Sequence, residues 1–167
     1  YVRTTLVGQL ALYVTMYSPL QMAADLPENY KKFNDAFQFI KDVPCDWSQS
    51  IYLEAEPADY ITVARQDKNS NDWYIGGKCD ENGHKSVLRL DFLDKDYVYD
   101  CTIYADAKDA DYKNNPKAYK ITHKKVKKGD VLKLTMAPGG GFAVSLEARW
   151  NGEEHAEQLT KVSQTDF

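Results

Sequence analysis

A chain of 167 residues has room for one ordinary domain, or for a small domain plus a piece of another, and is too short for a whole enzyme barrel of roughly 250 residues. With 21 basic against 25 acidic residues, a net charge of −4 and no strongly basic segment, it lacks the means to cover a phosphate backbone, so nucleic acid is not an expected partner. Twelve tyrosines and an aromatic content of 13% suit sheets and polar-rimmed interfaces and argue against a disordered chain.

The longest apolar run, Leu6 to Met16, is broken by Gly8, Gln9 and Thr15 and falls short of the roughly 20 residues that a membrane span needs, so no spanning helix is expected. The opening at Tyr1 has neither a basic n-region nor a small-residue cleavage site and reads as a cut inside a longer protein. Cys45, Cys79 and Cys101 lie far apart with no CxxC spacing, which makes a zinc site improbable and allows at most one disulfide.

In chain order, Leu6, Leu10, Tyr13, Val14 and Tyr17 recur at helical spacing, which predicts a helix over 3–17 that stops at Pro19. A short apolar run over 20–24 follows. Asp25-Leu26-Pro27 then leads into a second helical pattern whose face carries Phe33, Ala36, Phe37 and Ile40. Helix, short strand and helix would suit the closing unit of a β/α barrel or a doubly wound sheet, and a helical hairpin kinked at Pro19 fits the same periodicity. After Trp47 the period changes to two. Strands are predicted over 51–56, 60–65, 73–77, 87–93, 97–104, 118–122, 131–136 and 142–147, with turn residues between nearly all of them. Leu88, Leu90 and Phe92 alternate with Arg89 and Asp91, and Leu132, Leu134 and Met136 alternate with Lys133 and Thr135, the pattern of half-buried antiparallel strands in a sandwich. Residues 149–167 are polar and read as a tail or a short docked helix.

The segments TTLVGQLALYVTMYSPLQMAADLPENY and FNDAFQFIKDVP, together with YLEAEPADYITVARQ, DWYIGG, YADAKDADYKNNPKAY and APGGGFAVS, closely resemble the C-terminal part of glycoside hydrolase family 97. The ordered combination runs from about Thr4 to Ser145 and is far more specific than any one piece. The resemblance implies an α/β part followed by an all-β part. Residues 1–46 would be the last helix–strand–helix of a catalytic (β/α)8 barrel, 47–148 an antiparallel β-sandwich and 149–167 the tail. It looks nearest to the calcium-dependent, inverting α-glucosidases of periplasmic starch utilisation, with the retaining α-galactosidases of the family as the alternative. Gln21, Met22 and Asp25 would then sit at or near the C-terminal end of the last barrel strand, where a barrel meets its substrate, although Asp25 would also serve as a helix cap before Pro27.

The family's calcium-binding and catalytic glutamates are implied to lie upstream, so no catalytic residue and no metal ligand is expected in this chain. In the parent enzyme one glutamic acid would protonate the leaving oxygen, while calcium and a second glutamate activate water on the opposite face. The parent's substrate would be an oligosaccharide, its location the periplasm and its assembly a homodimer. The rival reading from another class is a stand-alone carbohydrate-binding or oligomerisation module.

The remaining polar clusters have ordinary structural readings. Glu54 and Glu56 are expected as solvated charges on one strand face. Asp106, Asp109 and Asp111 depart from the spacing of a calcium loop and read as a surface turn. Pro138-Gly139-Gly140-Gly141 lacks the Lys-Ser/Thr of a phosphate loop and reads as a turn needing positive φ. His123-Lys124-Lys125-Val126-Lys127-Lys128 reads as a charged sheet edge. His84 and His155 have no Ser or Cys partner suggested by spacing. Trp73 is expected in the core, Trp47 between the helical region and the sandwich, and Trp150 against a sugar or partner subunit if it has a role. A chain cut from its barrel would also expose the stripe around Leu6, Leu10 and Val14 and self-associate through it.

Overall fold

The computed structural model of the chain describes residues 4–15, 34–44 and 46–151. Two helices, α1 (Leu6–Thr15) and α2 (Asn34–Asp42), precede eight strands: β1 (Trp47–Glu56), β2 (Tyr60–Asp67), β3 (Trp73–Cys79), β4 (His84–Arg89), β5 (Tyr97–Asp106), β6 (Tyr119–Val126), β7 (Val131–Met136) and β8 (Gly141–Trp150). Every predicted strand has its counterpart. The run over 87–93 ends as a strand at Arg89, because Leu90 turns away and donates its N–H to the Asp130 carbonyl.

Six strands form one antiparallel sheet in the order β1-β2-β3-β8-β5-β6, and β4 pairs only with β7 in a second, two-stranded sheet. The result is an unequal sandwich with a third layer. On one face of the large sheet Trp73, Ile75, Tyr99, Cys101, Phe142, Val144 and Leu146 meet Leu88, Leu132 and Met136 of the small sheet. On the other face Val63, Tyr74, Tyr104 and Ala143 meet Val7, Leu10, Tyr13 and Val14 of α1 and Phe39 of α2. Phe39 lies edge-on to Tyr74 and Tyr104, with ring centroids 6.1 and 5.4 Å apart. Alternation along β3 and β8 therefore separates two apolar cores rather than core from solvent. Each fully buried large side chain contributes about 1.5–3 kcal/mol, so these doubly buried strands carry the centre of the fold.

The packing of α1 corrects the expectation of an exposed stripe. Leu10 and Val14 are fully buried on the large sheet, with Val7, Ala11 and Tyr13 beside them. Close approach explains it: a Cβ on Gly76 of β3 would lie 2.7 Å from the Ala11 carbonyl oxygen and 2.8 Å from Val14 Cβ, so the helix rests on bare backbone. Both ends of α1 are tied to the sandwich. Thr5 caps the first turn by accepting the Gly8 N–H, and Thr4 Oγ1 and the Thr5 N–H both donate to the Gly139 carbonyl. At the other end the buried Arg65 guanidinium of β2 donates to the Val14 carbonyl at 2.5 Å and the Thr15 carbonyl at 3.3 Å, where a helix end favours positive charge. The expected strand over 20–24 lies outside the described residues, and so do Pro19, Tyr17, Phe33 and the side chains of Ala36 and Phe37.

Substituting Gly76→Ala is expected to destabilise the chain by about 1–3 kcal/mol through overpacking against α1. Urea unfolding measures this, and a variant as stable as the native chain would show that α1 is not seated on β3.

Candidate functional site

Gln21, Met22 and Asp25 lie outside the described residues, as do Cys45 and His155. The polar residues that the structure does bring together form three clusters. The first joins the two sheets. Glu54 accepts a hydrogen bond from Ser86 Oγ at 2.8 Å, its Oε2 lies 3.3 Å from His84 Nε2, and the His84 ring stacks on Tyr60 at 3.6 Å. Both side chains are only 20% exposed. Glu54 is thus not the solvated charge expected of it. A register shift between Tyr52 and Glu54 inserts Leu53 as an extra residue and brings Glu54 opposite the buried Thr62, facing β4. Strict alternation from Ile51 would have sent it the other way. Glu56, at the end of the strand, is exposed.

Ser, His and carboxylate within one cluster raise the question of nucleophilic chemistry, and the geometry answers it. Ser86 Oγ and His84 Nε2 both address the same Glu54 oxygen, whereas activation of a hydroxyl needs the imidazole between the two. Ser86 is also buried. The cluster ties β1 to β4.

The second cluster surrounds Asp106, at the end of β5. Its Oδ2 accepts the N–H groups of Ala137 at 3.0 Å and Gly141 at 2.9 Å, which binds the carboxylate to the turn between β7 and β8. That turn is Pro138-Gly139-Gly140-Gly141, and Gly139 has φ +66° as its glycine content anticipated. Burial is the main influence on Asp106 and pushes its carboxyl above the usual range. The neighbouring Thr5 hydroxyl and the two backbone N–H groups pull it back less strongly. Oδ1 is buried without a partner at hydrogen-bond distance among the described residues. Asp111 instead accepts the N–H groups of Lys113 and Asn114, and Asp109 accepts from Asn115, so these two hold the loop after β5 while Asp106 holds the turn between β7 and β8. Among the described residues no group of three or more His, Cys, Asp and Glu side chains is placed to hold a metal ion.

The third is aromatic. Trp73 is in the core and Trp47 packs on Tyr74 at the helix-sheet boundary, both as expected. Trp150 belongs to β8, which runs two residues beyond the expected start of the tail, and stands 50% exposed with its ring edge-on to Tyr97 at 5.5 Å. Val87 and Val131 are also exposed, on the outer face of the small sheet. Cys79 and Cys101 are unpaired, and burial pushes their thiols up to about 11 and about 12, which leaves them unreactive at neutral pH. No helix among the described residues is long and apolar enough to cross a membrane.

The described residues thus form a helix-backed sandwich in which Glu54, His84 and Asp106 hold sheets and turns together. Residues 46–147 match the family described as Glycosyl-hydrolase 97 C-terminal, oligomerisation. The chain belongs to glycoside hydrolase family 97. It is similar to a retaining alpha-galactosidase of Bacteroides thetaiotaomicron, at 35% identity over 139 residues that cover 83% of this chain and 20% of that protein. Two structures of a glycoside hydrolase family 97 enzyme from Pseudoalteromonas sp. strain K8, in complex with panose and with acarbose, each match with a TM-score of 0.85 at 47% identity over 88% of this chain and 23% of theirs. A beta-arabinopyranosidase shares the fold, with a TM-score of 0.61 at 24% identity over 86% of this chain and 21% of its own. The chain spans about a fifth of the length of these relatives.

Because burial raises the Asp106 carboxyl, the folded chain keeps that proton to higher pH than the unfolded one. The stability this group contributes is therefore full below the ordinary carboxylate range, near pH 4, and is lost as pH rises through the raised value. Asp106→Asn is expected to gain on the native chain across that window and to level off on either side. Urea unfolding at a series of pH values reads the difference, and a gap that stays constant with pH would refute the assignment.

Proposed function

We propose that this chain is the C-terminal portion of an α-glucosidase that hydrolyses α-glucosidic bonds of starch-derived oligosaccharides, and that it acts in that enzyme as a structural and assembly module. The observation that carries the reading is the match at 47% identity to a family 97 enzyme in complex with panose, a sugar built of α-linked glucose. The parent is a periplasmic homodimer, and its calcium and its catalytic glutamates are supplied from outside this chain. Gln21, Met22 and Asp25 line the substrate pocket at the end of the last barrel strand. The chain's own described residues take no chemical step: they close the barrel's end through α1 and fix it to the sandwich through Thr4, Thr5 and Arg65.

The 35% identical relative named as a retaining alpha-galactosidase favours a second reading, in which the parent cleaves α-galactosides with retention. The intact protein assayed on p-nitrophenyl α-glucoside and α-galactoside separates the two, with hydrolysis of the glucoside expected and exclusive hydrolysis of the galactoside excluding the proposal. Sedimentation of the intact protein is expected to show a dimer that dissociates when the sandwich is deleted. A dimer that survives that deletion would remove the assembly role.

A further inference from the structure

The small sheet is too narrow to cover the large one. Between β7 and the strands β5 and β6 it leaves an open cleft of about 810 Å³. Lys120, Thr122 and Lys124 lie on that inner face of β6 and are exposed, where a closed sandwich would place apolar residues. Lys108 from the loop after β5, with Lys85 and Lys133 from the small sheet, brings the lysines lining the cleft to five. Against them stands one carboxylate, Asp106, already bonded to two backbone N–H groups. None of the five makes an ion pair or hydrogen bond among the described residues, in a chain whose net charge is −4. The floor is apolar, formed by Ile103, Ala105, Leu134 and Met136.

We propose that this cleft binds an extended acidic polypeptide segment, which adds to β7 as a third strand of the small sheet and sets its carboxylates against the lysines. Three observations select that ligand. Among the described residues β7 pairs with β4 alone, so its other edge, toward the cleft, offers backbone groups along six residues, a length that suits strand addition. A strand presents its side chains alternately, so acidic residues at every second position would face the lysines of β6 while apolar ones between them extend the outer face that carries Val87 and Val131. Among the described residues no Trp, Tyr or Phe lines the cleft, so they offer sugars and nucleobases no such stacking platform. The free edge of β6 differs: it carries His123, Lys124 and Lys125 beside Lys127 and Lys128, a charge run that discourages pairing there.

Fluorescence anisotropy of the whole chain with a labelled octapeptide of alternating Asp and Val tests the site. Binding is expected to weaken with added salt, and to weaken by about tenfold or more in a Lys120→Glu, Lys124→Glu double variant that keeps the native melting temperature. Methylating alternate backbone nitrogens of the peptide, in each of the two registers, is expected to weaken binding in one register at least, a loss that charge attraction alone would not produce. Equal binding of an alternating Lys and Val peptide, or indifference to both methylated peptides, overturns the proposal. Binding of oligogalacturonate without the peptide would assign the cleft to an anionic glycan. Self-association lost in the double variant, with no peptide bound, would assign it to a second copy of the chain, and either result also overturns the proposal.

Discussion

The burial of one sheet on both faces governs this structure. β3 and β8 lie at the middle of six strands, and neither face can be left to water, because both carry apolar side chains. One face is covered by the β4–β7 pair and the other by α1 and Phe39. A helix backing a sheet this closely needs small residues beneath it. Gly76, without a Cβ, makes room under Ala11 and Val14, and the small side of the helix at Gly8 and Ala11 lies against Gly141.

The polar interior follows from the same arrangement. Two sheets of unequal width and a helix leave backbone groups at element ends that no ladder satisfies, and an unsatisfied buried group costs about 1–3 kcal/mol. Arg65 answers the C-terminal carbonyls of α1, and Gly139 takes the hydroxyl of Thr4 and the N–H of Thr5 at its start. Asp106 holds the glycine turn through two N–H groups. Glu54 is the polar rivet between sheets, aimed inward by a one-residue bulge. These are residues that a search for catalytic groups would find first, and each is engaged in holding one element to another.

Membership in family 97 gives that economy its meaning. The matching family is described as an oligomerisation domain, and the chain is about a fifth as long as its relatives. Such a domain needs rigidity and a presentable surface more than a reactive centre.

Local chemistry made much of this legible in the amino-acid order. Turn residues separated nearly all eight strands, and alternation marked those such as β4 and β7 that are buried on one face only, because a half-buried strand writes its orientation into every second residue. Gly139 announced its positive φ by lying in a run that few other residues could occupy, and the basic run after Thr122 marked a sheet edge. The ordered segments from Thr4 to Ser145 were enough to place the chain in its family. Partners distant in sequence were beyond reach. Nothing near Glu54 signals Ser86 or His84, and the Leu53 bulge reverses the face that alternation assigns. Nothing near Leu10 says whether its covering surface is a barrel or the sheet that follows. Lys124 reads along the chain as part of a charged sheet edge, and its place over a cleft shows only once the small sheet is seen to stop short of β6. Strand position and facing are local properties and can be read along the chain, whereas which surface covers which, and which charge finds a partner, are decided by contacts that exist only once the layers have stacked.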